Sequence, residues 1–134
     1  MKFIHPMTVR MYDTDAAGIL YFGNQFRFAH DAFETLMHQE GLTFQDMFER
    51  QPFMFVIVHA ESDYFKSLHV GDEIQVHTWI DHIGTTSFKV AYEIFSSEQR
   101  MGTASTVHVC IDKDTRGKQE FPTHVREMLE KYRA

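Results

Sequence analysis

Two aspartates separated by a single residue, Asp13 and Asp15, sit in the segment Tyr12-Asp13-Thr14-Asp15-Ala16-Ala17-Gly18-Ile19-Leu20-Tyr21-Phe22. The segment joins an alternating, strand-like stretch to a long amphipathic helical one. A carboxylate at such a junction stands beside the free N–H groups and the positive dipole end of a helix, where developing negative charge is stabilised. A carboxylate and an oxyanion site a few ångströms apart suffice to hydrolyse an acyl group. Asp15 is the candidate nucleophile or general base, and Asp13 reads as a turn-stabilising carboxylate. Aspartate in front of a helix is also a common cap or turn residue, so spacing alone leaves both readings of Asp15 open.

The elements that must hold this junction follow from periodicity. Residues near 5–12 alternate, with Met7, Val9 and Met11 on one side and Thr8, Arg10 and Tyr12 on the other, which predicts a strand. From about Gly23 to Glu40, Phe26, Ala29, Phe33, Leu36 and Met37 recur at helical spacing, and Gly41 is placed to end the helix. A short helix is expected around Phe44–Arg50, closed by Pro52. Strands are then expected over Phe53–Phe65, Glu73–Asp81, a period-two run from Phe88 to Ile94, and Met101–Asp112. Val125, Met128, Leu129 and Tyr132 predict a short closing helix. No repeat or linker divides the chain, so residues 1–134 read as a single α+β domain with one long helix against an antiparallel sheet. Such a sheet leaves one face and an edge open. With an outward Trp79 and 13 phenylalanines, this predicts that a second copy covers them, making at least a homodimer.

Composition narrows the function classes. Net charge is −6 and no Lys/Arg block occurs, which argues against a nucleic-acid groove. The single cysteine, Cys110, lies in an apolar run and cannot form an internal bridge, as expected of a reducing compartment. Neither a signal peptide nor a membrane-spanning apolar run is visible, so the expected location is cytoplasmic, with no membrane partner.

Asp13-Thr14-Asp15-Ala16-Ala17-Gly18-Ile19-Leu20-Tyr21, the helix after it and the four-strand tail resemble the hotdog-fold thioesterases of the 4-hydroxybenzoyl-CoA thioesterase type. The resemblance covers the chain in element order and is sequence-specific over residues 12–37. Val58-His59-Ala60-Glu61, Val70-Gly71-Asp72 and Thr86-Ser87-Phe88 add support. Within that family, the Asp-Thr-Asp-Ala-Ala-Gly run followed by Tyr21-Phe22 and His30-Asp31-Ala32-Phe33-Glu34 is most similar to 1,4-dihydroxy-2-naphthoyl-CoA hydrolases. The resemblance implies a hotdog fold, a five-stranded antiparallel sheet wrapped around one long helix, with a short C-terminal helix. It implies an acyl-CoA substrate, Asp15 as the catalytic carboxylate and the Phe22 backbone N–H holding the thioester carbonyl. It also implies dimers that assemble into tetramers, with the site at the dimer interface.

A thioester carbonyl is electrophilic and thiolate leaves readily, so this chemistry requires no metal or cofactor. Asp15 could attack directly or serve as general base for water. Around it, Gly18 supplies either a positive φ or room for close approach of substrate. Tyr21 and Phe22 either flank an aromatic acyl group or belong to the core. Asn24 offers polarity near the carbonyl, or caps the helix. His30 either reaches toward the site or belongs to a polar helix face. His59, Glu61 and Asp63 share one strand face, a line that could ligate a metal; His59 and Glu61 read in preference as groups that support the site or line an interface. For the CoA phosphates, the family often places basic side chains at the turn before Thr86-Ser87-Phe88. This chain has Asp81-His82-Ile83-Gly84-Thr85 there, without Lys or Arg. Lys66, Lys89 and Arg100 are substitutes, each also readable as a solvated surface charge.

Two other functions compete with acyl-CoA hydrolysis. One is a non-catalytic hotdog module that binds an acyl ligand, against which the retained Asp15 argues. The other is hydration or dehydration of enoyl/3-hydroxyacyl thioesters, which resembles an Asp followed five positions later by His near the start of the helix. Only Asp72 and His77 have that spacing, and they fall in or beside a predicted strand.

Overall fold

The computed structural model describes residues 1–134 and contains one antiparallel sheet of five strands. The strands are β1 (Phe3–Thr8), β2 (Phe53–Tyr64), β3 (Glu73–Ile83), β4 (Ser87–Ser96) and β5 (Gln99–Asp112). They lie side by side in the order β1-β3-β4-β5-β2, so β1 and β2 form the edges. Helix α1 (Asn24–Gln39) packs on the inner face against β1, β3 and β5. Helices α2 (Phe44–Arg50) and α3 (Thr123–Lys131) complete the chain. This is the α+β hotdog arrangement expected from the sequence. No helix is long and apolar enough to cross a membrane.

Helix α1 buries Phe28, Ala29, Ala32, Phe33, Leu36 and Met37, two adjacent rows repeating every four residues. It ends where Gly41 takes a φ of +86. The Gly41 N–H bonds His38 O at 3.0 Å and the Leu42 N–H bonds Met37 O at 2.9 Å, a Schellman closure that turns the buried Leu42 back onto the helix. Beneath α1 lie the inward residues of the central strands: Ile74, Val76 and Ile80 of β3, and Phe88, Val90, Tyr92 and Ile94 of β4. A polar line crosses the same layer. The Tyr92 hydroxyl meets Thr106 Oγ1 at 3.1 Å, and that atom meets His108 Nε2 at 2.8 Å.

Two expectations from periodicity change. The first strand stops at Thr8 instead of running to Tyr12, and Met11–Asp13 form a 3-10 turn. The Asp13 carboxylate accepts the Arg10 N–H at 2.8 Å, and this side-chain capping diverts the backbone from the ladder. Met11, grouped by alternation with Met7 and Val9, is therefore 80% exposed, whereas Val9 is buried. Trp79 does face outward, but it is only partly open, because the Lys2 ammonium lies over its ring, 4.4 Å from the centroid.

Candidate active site

The loop between β1 and α1 folds as a small ladder. The Tyr21 N–H bonds Asp13 O at 3.0 Å, the Asp15 N–H bonds Ile19 O at 2.9 Å, and the Gly18 N–H bonds Asp15 O at 3.0 Å. Asp15 therefore opens a tight turn that Gly18 closes with a φ of +75. A Cβ built on Gly18 would meet nothing within 4 Å, so the turn needs glycine for its left-handed backbone, with no crowding involved. The Asp15 side chain stands exposed. Its Oδ1 accepts the Ala17 N–H at 2.9 Å, and its Oδ2 is not engaged by any group of the chain.

Asp13 has the opposite environment. It is fully buried, and its Oδ1 accepts from Arg27 Nε at 2.9 Å and Arg27 Nη2 at 2.6 Å. Its backbone oxygen accepts Asn24 Nδ2 at 2.8 Å as well as the Tyr21 N–H. Asp13 thus ties the loop to the first turns of α1, and the Asn24 amide is used for that tie, not as a helix cap.

Helix α1 has no side-chain cap, and its N-terminus is wound back as a 3-10 turn. The Asn24, Gln25 and Phe26 N–H groups bond the oxygens of Tyr21, Phe22 and Gly23 at 2.9, 3.3 and 3.2 Å. Winding back satisfies the donors that a helix start normally leaves free and moves the free ones two positions earlier. The N–H groups of Phe22 and Gly23 have no acceptor in the chain. A donor pair at the positive end of a helix, just past the ladder that carries Asp15, is an arrangement that stabilises an oxyanion.

The remaining candidates are spread around this point. The exposed Tyr21 ring lies 4.8 Å from that of Phe22. His30 faces Phe44, with centroids 5.7 Å apart, and makes no hydrogen bond to the Asp15 turn. Behind it are Phe33 and then His108, whose ring lies parallel to that of Phe88 at 4.9 Å. Burial, with His30 adding to it, pushes the His108 imidazole down to about 3, so it is neutral near pH 7. His59 and Glu61 lie past a bulge in edge strand β2, exposed and 3.8 Å apart, and Glu61 accepts from Ser105 Oγ at 3.3 Å.

Three positioning residues escaped the sequence reading. Gln25 is buried, and its Nε2 donates to Ser62 Oγ at 2.6 Å and Asp63 O at 3.0 Å, locking the start of α1 to the end of β2. Its signal was available, as a polar residue on the buried stripe of Phe28, Ala29 and Ala32. Arg27, the partner of Asp13, and Tyr64, whose hydroxyl donates to Phe22 O at 2.5 Å, had no local signal because both partners are distant in sequence.

Residues 9–129 match the thioesterase-like superfamily. A 1,4-dihydroxy-2-naphthoyl-CoA hydrolase of Nostoc punctiforme is 37% identical over 130 residues, covering 97% of this chain and 88% of the relative. A crystal structure of a 1,4-dihydroxy-2-naphthoyl-CoA thioesterase from Synechocystis superposes with a TM-score of 0.91 at 31% identity, covering 96% of both chains. That of a DHNA-CoA thioesterase from Staphylococcus aureus gives 0.88 at 25% identity, over 97% of this chain and 89% of the other. With its helix-start donors, its carboxylate-bearing turn and this match over nearly its whole length, the chain belongs to the thioesterase-like superfamily.

Proposed function

We propose that this chain hydrolyses an aromatic acyl-CoA thioester, and that 1,4-dihydroxy-2-naphthoyl-CoA is the first substrate to try. The observation that carries the reading is the acceptor-free Phe22 N–H at the start of α1, on the loop that presents Asp15. The thioester carbonyl accepts from that N–H, which stabilises the negative charge its oxygen gains on attack. An Asp15 oxygen then either adds to the carbonyl carbon or takes the proton of an attacking water. Direct attack expels CoA thiolate and leaves an acyl-aspartyl anhydride, which water hydrolyses. Attack by water gives the free acid and CoA without that intermediate. The relatives named above act on a bicyclic aromatic thioester, and the exposed His30 ring, stacked on Phe44, offers an aromatic face to such a group. In this reading Gly18 shapes the turn, Asn24 anchors it, and Tyr21 flanks the acyl group. His59 and Glu61 reach the site from a second copy across the open edge of β2. The working protein is a homo-oligomer, a dimer or a tetramer built from dimers.

The test is thiol release from a panel holding 1,4-dihydroxy-2-naphthoyl-CoA, benzoyl-CoA, phenylacetyl-CoA and short and long fatty acyl-CoAs. The naphthoyl thioester is expected to be turned over fastest. Asp15→Asn should lower kcat by about a hundredfold or more at unchanged Tm, because the exposed carboxylate makes one local hydrogen bond. Asp13→Asn is no neutral comparison, since it disturbs the Arg27 tie. Asp114→Asn, in the exposed loop before α3, serves instead. Wild-type turnover by Asp15→Asn removes that residue from the mechanism, and ligand binding without turnover of any thioester makes the chain a binding module.

A further inference from the structure

The substrate proposed above ends in a pyrophosphate and a ribose phosphate, whereas this chain carries a net charge of −6. Its phosphates need a local cation. Lys89 lies 3.8 Å from Asp81 and Arg100 lies 3.1 Å from Glu93, so each already has a carboxylate. Helix α3 brings Arg126 to the β3–β4 turn, but its guanidinium donates to Gly84 O at 2.9 Å and Thr85 O at 3.4 Å. Lys66 differs. Its Nζ contacts only the neutral amide oxygen of Gln99, at 3.1 Å, and it is exposed.

Its position is also defined. The Phe65 and Lys66 N–H groups both donate to Met101 O, at 2.9 and 3.1 Å, which pins the chain after β2 to β5. There Lys66 is the one cation lining a slot of about 190 Å³, with Leu20, Phe22, Tyr64, Phe65 and Leu68 among its walls. Phe22, which lines this slot, is one of the two residues at the start of α1 whose N–H is free. Apolar walls and a single cation, beside a carbonyl-binding donor, are complementary to an uncharged arm that joins a thioester to phosphates.

We infer that this slot holds the pantetheine arm of the acyl-CoA and that Lys66 recognises its phosphates. The inference rests on the acyl-CoA reading, so its test includes a measurement that needs no turnover. Thioesters of one acyl group on CoA and on pantetheine are compared as substrates, and CoA and pantetheine are compared as ligands by calorimetry. Wild-type protein is expected to favour the CoA compound in both. Lys66→Gln should narrow that preference by about tenfold, the loss of one charge-assisted contact, and should weaken the dependence of CoA binding on salt. Lys118→Gln, in the loop before α3, should behave as wild type. A wild-type preference retained in Lys66→Gln overturns the inference, as does a preference that falls in Arg126→Gln and not in Lys66→Gln. If no thioester is cleaved but CoA binding still depends on Lys66, the hydrolytic reading fails and the phosphate contact stands.

Discussion

Asp13 and Asp15 are chemically the same and separated only by Thr14, yet their surroundings differ. One carboxylate is buried against the Arg27 guanidinium and the Arg10 N–H, and the other keeps a free oxygen in solvent. A buried histidine shows the same dependence on environment. His108 is neutral in the fold because burial holds its pKa at about 3, whereas an unfolded histidine titrates near 6.5. Between those values the unfolded chain binds a proton that the folded chain does not, so stability rises with pH over this window and falls as pH falls through it. From pH 7 to pH 5 this group alone should remove about 2 kcal/mol. Glu40 and Asp112, whose carboxylates are held low by hydrogen bonds, act below that range and do not obscure it. Denaturant unfolding of wild type and His108→Phe at pH 7 and pH 5 checks this, the ring being kept between Phe33 and Phe88. The acid-induced loss should shrink by about 2 kcal/mol in the variant, and an unchanged loss refutes it. The strand expected over Met101–Asp112 includes His108, yet its neutrality was not legible, since that depends on rings from α1 and β4 closing around it.

Among the elements, the join between α1 and the β2–β5 pair decides where the free N–H groups sit. A Cβ on Gly102 would stand 2.6 Å from Asp63 O and 2.8 Å from Gln25 Nε2, so this glycine is required for close approach. Gly102→Ala should therefore push the Gln25 amide off β2 and cost about 2 kcal/mol, a typical overpacking cost. Turnover should fall beyond what the loss of folded protein explains, because the start of α1 shifts with Gln25. A Tm within a degree of wild type would show that the join absorbs the methyl group. The element order itself was legible: α1, α2 and the later strands fall within a few residues of the positions set by apolar spacing, because each buries one face against a single layer. The 3-10 turn after β1 was not, because Val9, Arg10 and Met11 continue the alternation while Arg27, fourteen residues beyond Asp13, holds Asp13 out of it. The Asp15 turn was legible from its glycine and its aspartates. The wound-back helix start that frees the Phe22 and Gly23 donors was not, since no residue type marks it.

For the molecule as a whole, strand β2 is an edge whose outer side has no partner within the chain. Its Ile57 and Val58 are 47% and 60% exposed, at the bulge where the register with β5 shifts. An open apolar edge invites pairing with another strand, and the exposed Tyr64 ends this strand beside Phe22, 65% exposed at the candidate site. A second copy laying its own β2 along this edge would satisfy both needs at once, covering the apolar residues and closing the site over the Phe22 donor. Val58→Lys places a charge in that seam without touching the Asp15 turn, α1 or the Lys66 slot. Light scattering after size exclusion should give a multiple of the chain mass for wild type and a single chain for the variant, and thioester turnover should fall with the assembly. Circular dichroism should stay unchanged, because Val58 is exposed within its own chain. A native protein that is monomeric and fully active, or a monomeric variant that keeps wild-type turnover, would show that one chain is sufficient and that the edge of β2 serves no site.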